Sequence, residues 1–106
     1  MIYLIAKPKF YLVPKAIHAG DVWKFRQETK SKHPCAFPAG LPERIIGSTN
    51  AVVILDPFMG SGTTAVAAKR QNRQYIGIEL SPEYCDMAEA RIRNEMKRSQ
   101  QQFFNQ

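Results

Sequence analysis

Ala51-Val52-Val53-Ile54-Leu55 is an unbroken apolar run, rich in β-branched residues and closed by Asp56-Pro57. Strands that meet water on one face alternate apolar with polar residues, so a continuous run of this length predicts a strand buried on both faces of a parallel sheet. A glycine-rich stretch follows, then an alanine-rich segment at 63–71 that favours helix, then a second strand at 74–79. Parallel neighbours cannot be joined by a tight hairpin and need a crossover, so these pieces make one βαβ unit. The fold class is therefore α/β.

The flanks extend the unit. Ser81-Pro82-Glu83 supplies a cap, a proline at the first helical position and an acid near the helix N-terminus, which starts a last helix. Tyr84, Ala88, Ile92 and Met96 are placed to face the sheet, Arg91, Arg93, Lys97 and Arg98 the opposite side, and residues 100–106 read as a flexible tail. Upstream, prolines 34, 38 and 42 punctuate the chain, and Leu41, Ile45 and Ile46 recur at helical spacing in a short helix that ends at Gly47. Residues 1–32 are a mixed segment in which 2–5 and 10–13 are candidate short strands.

At 106 residues there is room for one small domain. The 44% hydrophobic and 23% charged composition is that of an ordinary soluble protein. A net charge of +6 favours a polyanionic partner without identifying one. Cys35 and Cys85 stand fifty positions apart, with no metal-site or redox-pair spacing, and read as free thiols. The apolar opening at 1–6 is too short for a membrane span and lacks signal-peptide order, which leads to the expectation of a cytoplasmic protein with no membrane partner.

The chemistry is concentrated in Asp56-Pro57-Phe58-Met59-Gly60-Ser61-Gly62-Thr63-Thr64 and in Glu79, nineteen positions after Gly60. Gly60 and Gly62 permit a tight turn with close backbone approach, and an acid at the tip of the second strand can accept hydrogen bonds from both hydroxyls of a ribose. This is a nucleoside site at the carboxyl edge of a sheet. Gly60, Gly62 and Ala65 also satisfy the dinucleotide fingerprint of a nicotinamide enzyme, and a plain glycine-rich turn is the third reading. Elsewhere the simple readings lead. His33 is a loop hydrogen-bonder, Trp23 a core residue, Cys85 a small buried hydrophobe, and Thr63 and Thr64 helix caps that can also touch ligand.

As a whole, the string from Asp56 to Thr64 resembles the cofactor motif of the DNA N4-cytosine and N6-adenine amino-methyltransferases. The resemblance takes in Asp21-Val22-Trp23, His33-Pro34 with Phe37-Pro38, Leu41-Pro42-Glu43-Arg44-Ile45-Ile46, Tyr75-Ile76-Gly77-Ile78-Glu79 and Pro82-Glu83-Tyr84-Cys85, and covers roughly 21–93. It implies a partial Rossmann-like methyltransferase fold of three α/β/α layers, with S-adenosylmethionine (SAM) as cofactor and DNA as substrate. On this reading residues 33–99 form the SAM-binding domain. Asp56, Phe58, Gly60, Ser61 and Gly62 would surround the methionine part, with Thr63 beside them. Glu79 would hold the ribose, Leu80 would flank the adenine, and Phe37 and Pro38 would close over the methionine end.

One part of the family pattern is missing. These enzymes hold the flipped-out target base with an Asp, Asn or Ser followed by Pro-Pro and an aromatic residue, and this chain has no Pro-Pro pair. No residue is therefore assigned as catalytic and no metal is expected. The expectation is a portion of a bacterial or phage methyltransferase that is inactive alone, and whose exposed sheet edge is covered by a second copy or a complementary methyltransferase subunit. The alternative is a non-catalytic module that binds nucleic acid or a partner and keeps the methyltransferase scaffold.

Overall fold

The computed structural model of the chain describes residues 7, 8, 10, 12–14, 22–24 and 37–105. His33, Cys35, Asp21 and the candidate strand at 2–5 lie outside the described residues. Phe10, Leu12 and Val13, read as part of a strand, carry no strand geometry; Val13 instead donates its amide to the Ser48 carbonyl at 3.0 Å.

Among the described residues five elements follow in order: α1 (Gly40–Gly47), β1 (Val53–Asp56), α2 (Thr63–Arg70), β2 (Gln74–Gly77) and α3 (Pro82–Phe104). Helix α1 turns its buried Ile46 toward α2. The helix ends at Gly47, as expected, although that glycine does not adopt a left-handed conformation. At the end, the Ser48 amide donates to the Arg44 and Ile45 carbonyls and the Thr49 amide to that of Ile46, each at 3.1 Å, and hydroxyls add to them, Ser48 Oγ donating to Arg44 at 2.8 Å and Thr49 Oγ1 to Ile46 at 3.2 Å. These bonds satisfy carbonyls that have no partner inside the helix.

β1 and β2 pair in parallel with Val53 opposite Gln74 and Asp56 opposite Gly77. The pairing runs past the strand ends, since Ile78 donates to the Asp56 carbonyl and Met59 to that of Ile78, both at 2.9 Å. One face of this ribbon is covered: Ile54 and Tyr75 pack on a cluster of Ile46, Ala67 and Ala68. The expected double burial of the first strand is not observed. Val53 is 46% exposed, Leu55 62% and Ile76 55%, because α1 and α2 lie on one side and no described element covers the other.

Helix α2 is central among the described elements, in contact with α1, α3 and both strands. Its alanines explain this: Ala65, Ala67 and Ala68 are at most 1% exposed, and small side chains allow four neighbours to close in. Helix α3 begins as expected, with Ser81 as cap, its oxygen accepting from the Tyr84 amide at 3.5 Å, and Pro82 at the first position. Ala88 and Ile92 are buried, but Met96 is 47% exposed, and the stripe packs chiefly on α2 rather than on the sheet. Residues 100–104, read as tail, continue the helix and are exposed.

Candidate functional site

β1 ends in Asp56, whereas β2 stops at Gly77, short of the expected 79, and Glu79 follows two residues past it. Asp56 Oδ1 accepts from the Phe58 amide at 3.0 Å, a side-chain turn that bends the chain off the strand. Met59 then folds back over Gly77, where any side chain on residue 77 would collide with its sulfur. Gly60 and Gly62 both take positive φ, 52° and 83°, and the Gly62 amide closes the turn onto the Met59 carbonyl at 3.0 Å. Helix α2 starts immediately afterwards.

Glu79 joins the two halves of this edge. Its Oε2 accepts from the Gly60 amide at 2.8 Å, while Oε1 accepts from the amides of Leu80 and Ser81, each at 2.9 Å. One carboxylate therefore staples the glycine turn to the end of β2, which places the sequence-assigned ribose acid against the sequence-assigned turn. Phe58 and Leu80 flank it with 87% and 95% of their surfaces exposed. Two large apolar side chains left in water beside a carboxylate and a glycine turn can accept the flat face of a ligand.

The other sequence-assigned residues are distributed differently. Ser61 and Thr63 are 5% and 4% exposed, and their hydroxyls accept from Arg91 Nη1 of α3 at 2.8 and 3.3 Å, so their side chains are turned toward α3. Thr63 does not cap α2. The cap position is Gly62, which has no side chain to offer, and the threonine hydroxyl is directed to Arg91. Phe37, 41% exposed, and Pro38 lead into α1, and no hydrogen bond among the described residues joins them to the turn. Cys85 is half-buried rather than buried, its thiol 3.7 Å from the Glu79 carbonyl. Trp23 is half-buried too, with the Arg44 guanidinium 4.3 Å above its ring.

Arg91 itself was placed by sequence on the solvent side of α3. It is half-buried, and Nη1 also donates to the Ser61 carbonyl at 2.9 Å. The signal that would have found it is spacing: 91 is three after the buried Ala88 and adjacent to the buried Ile92, so it lies on the flank of the packed stripe. An open depression of about 290 Å³ lies among Val66, Arg70, Arg91, Asn94, Glu95 and Arg98. Arg70 there bridges Glu43 of α1 at 2.6 Å and Glu95 of α3 at 2.8 Å. These bonds raise the Arg70 pKa and hold the Glu95 carboxyl below its ordinary range. The described residues hold no cluster of His, Cys, Asp and Glu suited to a metal ion, and no described helix is long and apolar enough to cross a membrane.

This arrangement of parallel strands, glycine turn and strand-tip acid coincides with a family match: a DNA methylase model aligns with residues 5–90. The chain belongs to the DNA methylase family. That decides against the nicotinamide reading of the glycines. Among its relatives, the orphan methyltransferase M.BamHII of Bacillus amyloliquefaciens is 51% identical over 65 residues, covering 59% of this chain and 24% of the relative. The structure of M1.HpyAVI, solved as a SAM complex, is 45% identical with a TM-score of 0.56, over 59% of this chain and 32% of that one. PvuII DNA methyltransferase, described as cytosine-N4-specific, is 26% identical with a TM-score of 0.66, over 76% of this chain and 35% of its own. The methylase fold is thus represented in part, as a Rossmann-like α/β/α fragment, and the chain spans between 24% and 35% of the length of these three relatives.

Proposed function

We propose that this chain is the SAM-binding part of a DNA amino-methyltransferase and transfers no methyl group by itself. The observation that carries the first half is the bond between the Gly60 amide and Glu79 Oε2, which joins the glycine turn to the acid that the reading assigns to the ribose. Support comes from M1.HpyAVI, solved as a SAM complex with the same fold. Asp56, Phe58 and the backbone of residues 60–62 would hold the methionine end. Glu79 would take the ribose and Leu80 the adenine, with Phe37 and Pro38 as the closing segment. When bound, SAM supplies an electrophilic methyl group on a sulfonium.

A carboxylate offers about four acceptor positions. At least three are taken by backbone amides, so receiving two ribose hydroxyls requires exchanging at least one of those bonds. The net gain from Glu79 is therefore moderate. Calorimetry with SAM should give a saturable heat, and Glu79→Ala should weaken binding by about 1.5 kcal/mol or more, roughly tenfold in Kd. Equal affinities would remove Glu79 from the site.

The second half rests on the absent Pro-Pro tetrad. Orienting the amine nitrogen toward the methyl is most of what such a site contributes, and nothing else in the sequence offers that arrangement. Incubation with methyl-labelled SAM and mixed-sequence DNA should leave the DNA unlabelled, and incorporation above a heat-killed control would refute the inactivity. DNA, with a complementary methyltransferase subunit or a second copy, is the partner set this reading implies, in the setting of restriction-modification. A non-catalytic nucleic-acid-binding role is supported by the exposed Arg93, Lys97 and Arg98 along α3, and would show as DNA binding without a SAM heat.

A further inference from the structure

We propose that Arg91 is a positioning residue for the cofactor turn, and that its charge tunes the site for a ligand bearing a carboxylate. The inference rests on the SAM-binding reading and adds a residue on a helix outside the motif. Arg91 Nη1 reaches back thirty positions to donate to the Ser61 carbonyl at 2.9 Å, Ser61 Oγ at 2.8 Å and, across two residues, Thr63 Oγ1 at 3.3 Å. Ser61 lies between two glycines of positive φ, a peptide stretch with little rigidity of its own. The turn is held at Gly60 by Glu79 and at Ser61 and Thr63 by Arg91, so its geometry depends on two remote side chains, one on each side.

The pairing has an electrostatic consequence. Arg70 is neutralised by Glu43 and Glu95, and Arg93 stands 3.5 Å from Glu89, whereas the three hydrogen bonds of Arg91 all go to neutral acceptors. A half-buried guanidinium behind the turn, with no carboxylate among those partners, adds positive potential at residues 61–63 and offsets the negative charge that Glu79 brings to the Gly60 amide. That potential favours an anionic group at the front of the turn, where the carboxylate of the cofactor's methionine end would lie.

The test compares two ligands on three forms of the full chain. S-adenosylhomocysteine carries the amino-acid carboxylate, and 5′-methylthioadenosine lacks it. Arg91→Met should weaken S-adenosylhomocysteine at least about tenfold, the scale of a lost charged hydrogen bond, and 5′-methylthioadenosine much less. Arg91→Lys, which keeps the charge and loses the three-acceptor geometry, should fall between; it also serves if the methionine variant fails to fold. Unchanged S-adenosylhomocysteine affinity in both variants overturns the proposal. So does an equal loss for the two ligands, which would mark Arg91 as a general structural support. A wild-type chain that binds neither ligand overturns the SAM-binding reading itself, an outcome visible before any variant is made.

Discussion

At Gly62 two independent constraints fall on one residue. Its φ of 83° disfavours any side chain, and a Cβ added there would stand 2.8 Å from the Cβ of Ala88 and 3.1 Å from its Cα. Relief would require α3 to move as a body. Gly62→Ala should therefore cost about 2 kcal/mol or more, the left-handed penalty plus overpacking, read as a lower urea midpoint at unchanged slope. The sequence reading expects a glycine here for the turn and an acid at the tip of the second strand nineteen positions after Gly60, and Glu79 does meet the Gly60 amide. It did not anticipate where the Ser61 and Thr63 hydroxyls go, because that depends on Arg91. A charged side chain beside buried Ile92 reads as solvated when one helix is considered without its neighbour, since charge then outweighs position. Leu80 and Phe58 were named from resemblance, and their exposure follows from the chain leaving the strand tips.

Among the elements, α2 holds α1, α3 and both strands, and Arg70 at its C-terminal end ties its two helical neighbours together. The bridge is partly exposed, with 39% of the Arg70 side chain in solvent, so a double-mutant cycle on Arg70 and Glu95 should return only about 0.5–1 kcal/mol, shrinking in high salt. Its pH dependence has a definite sign. Hydrogen bonding to Arg70 lowers the Glu95 pKa in the folded state, so its stabilisation is present above the ordinary glutamate value of about 4.3 and is lost as pH falls through the depressed value. Thermal melts of Glu95→Gln should accordingly lose less stability on acidification than the wild type. Helix positions were legible because caps and periodicity are local, as at Ser81 and Pro82. The burial of β1 was not, because it depends on what lies across the sheet, and a run such as 51–55 carries no record of whether a second layer is present.

For the whole molecule, the ribbon that β1 and β2 form among the described residues sets the behaviour. Leu55 and Ile76 are paired in register and stand exposed together with Val53 and Ile78 on the face opposite α2. Light scattering over a dilution series should show mass rising with concentration above the 12.1 kDa of one chain; a single monomeric mass at every concentration would contradict self-association through this face. The same face also bears on calorimetry. Heat capacity on unfolding measures apolar surface newly brought into water, and this surface is already there. The increment for the isolated chain should fall short of the usual 12–15 cal/mol/K per residue, giving a flatter curve of stability against temperature. Anything that seats on the ribbon should bind with a negative heat-capacity change and, once bound, make that curve steeper.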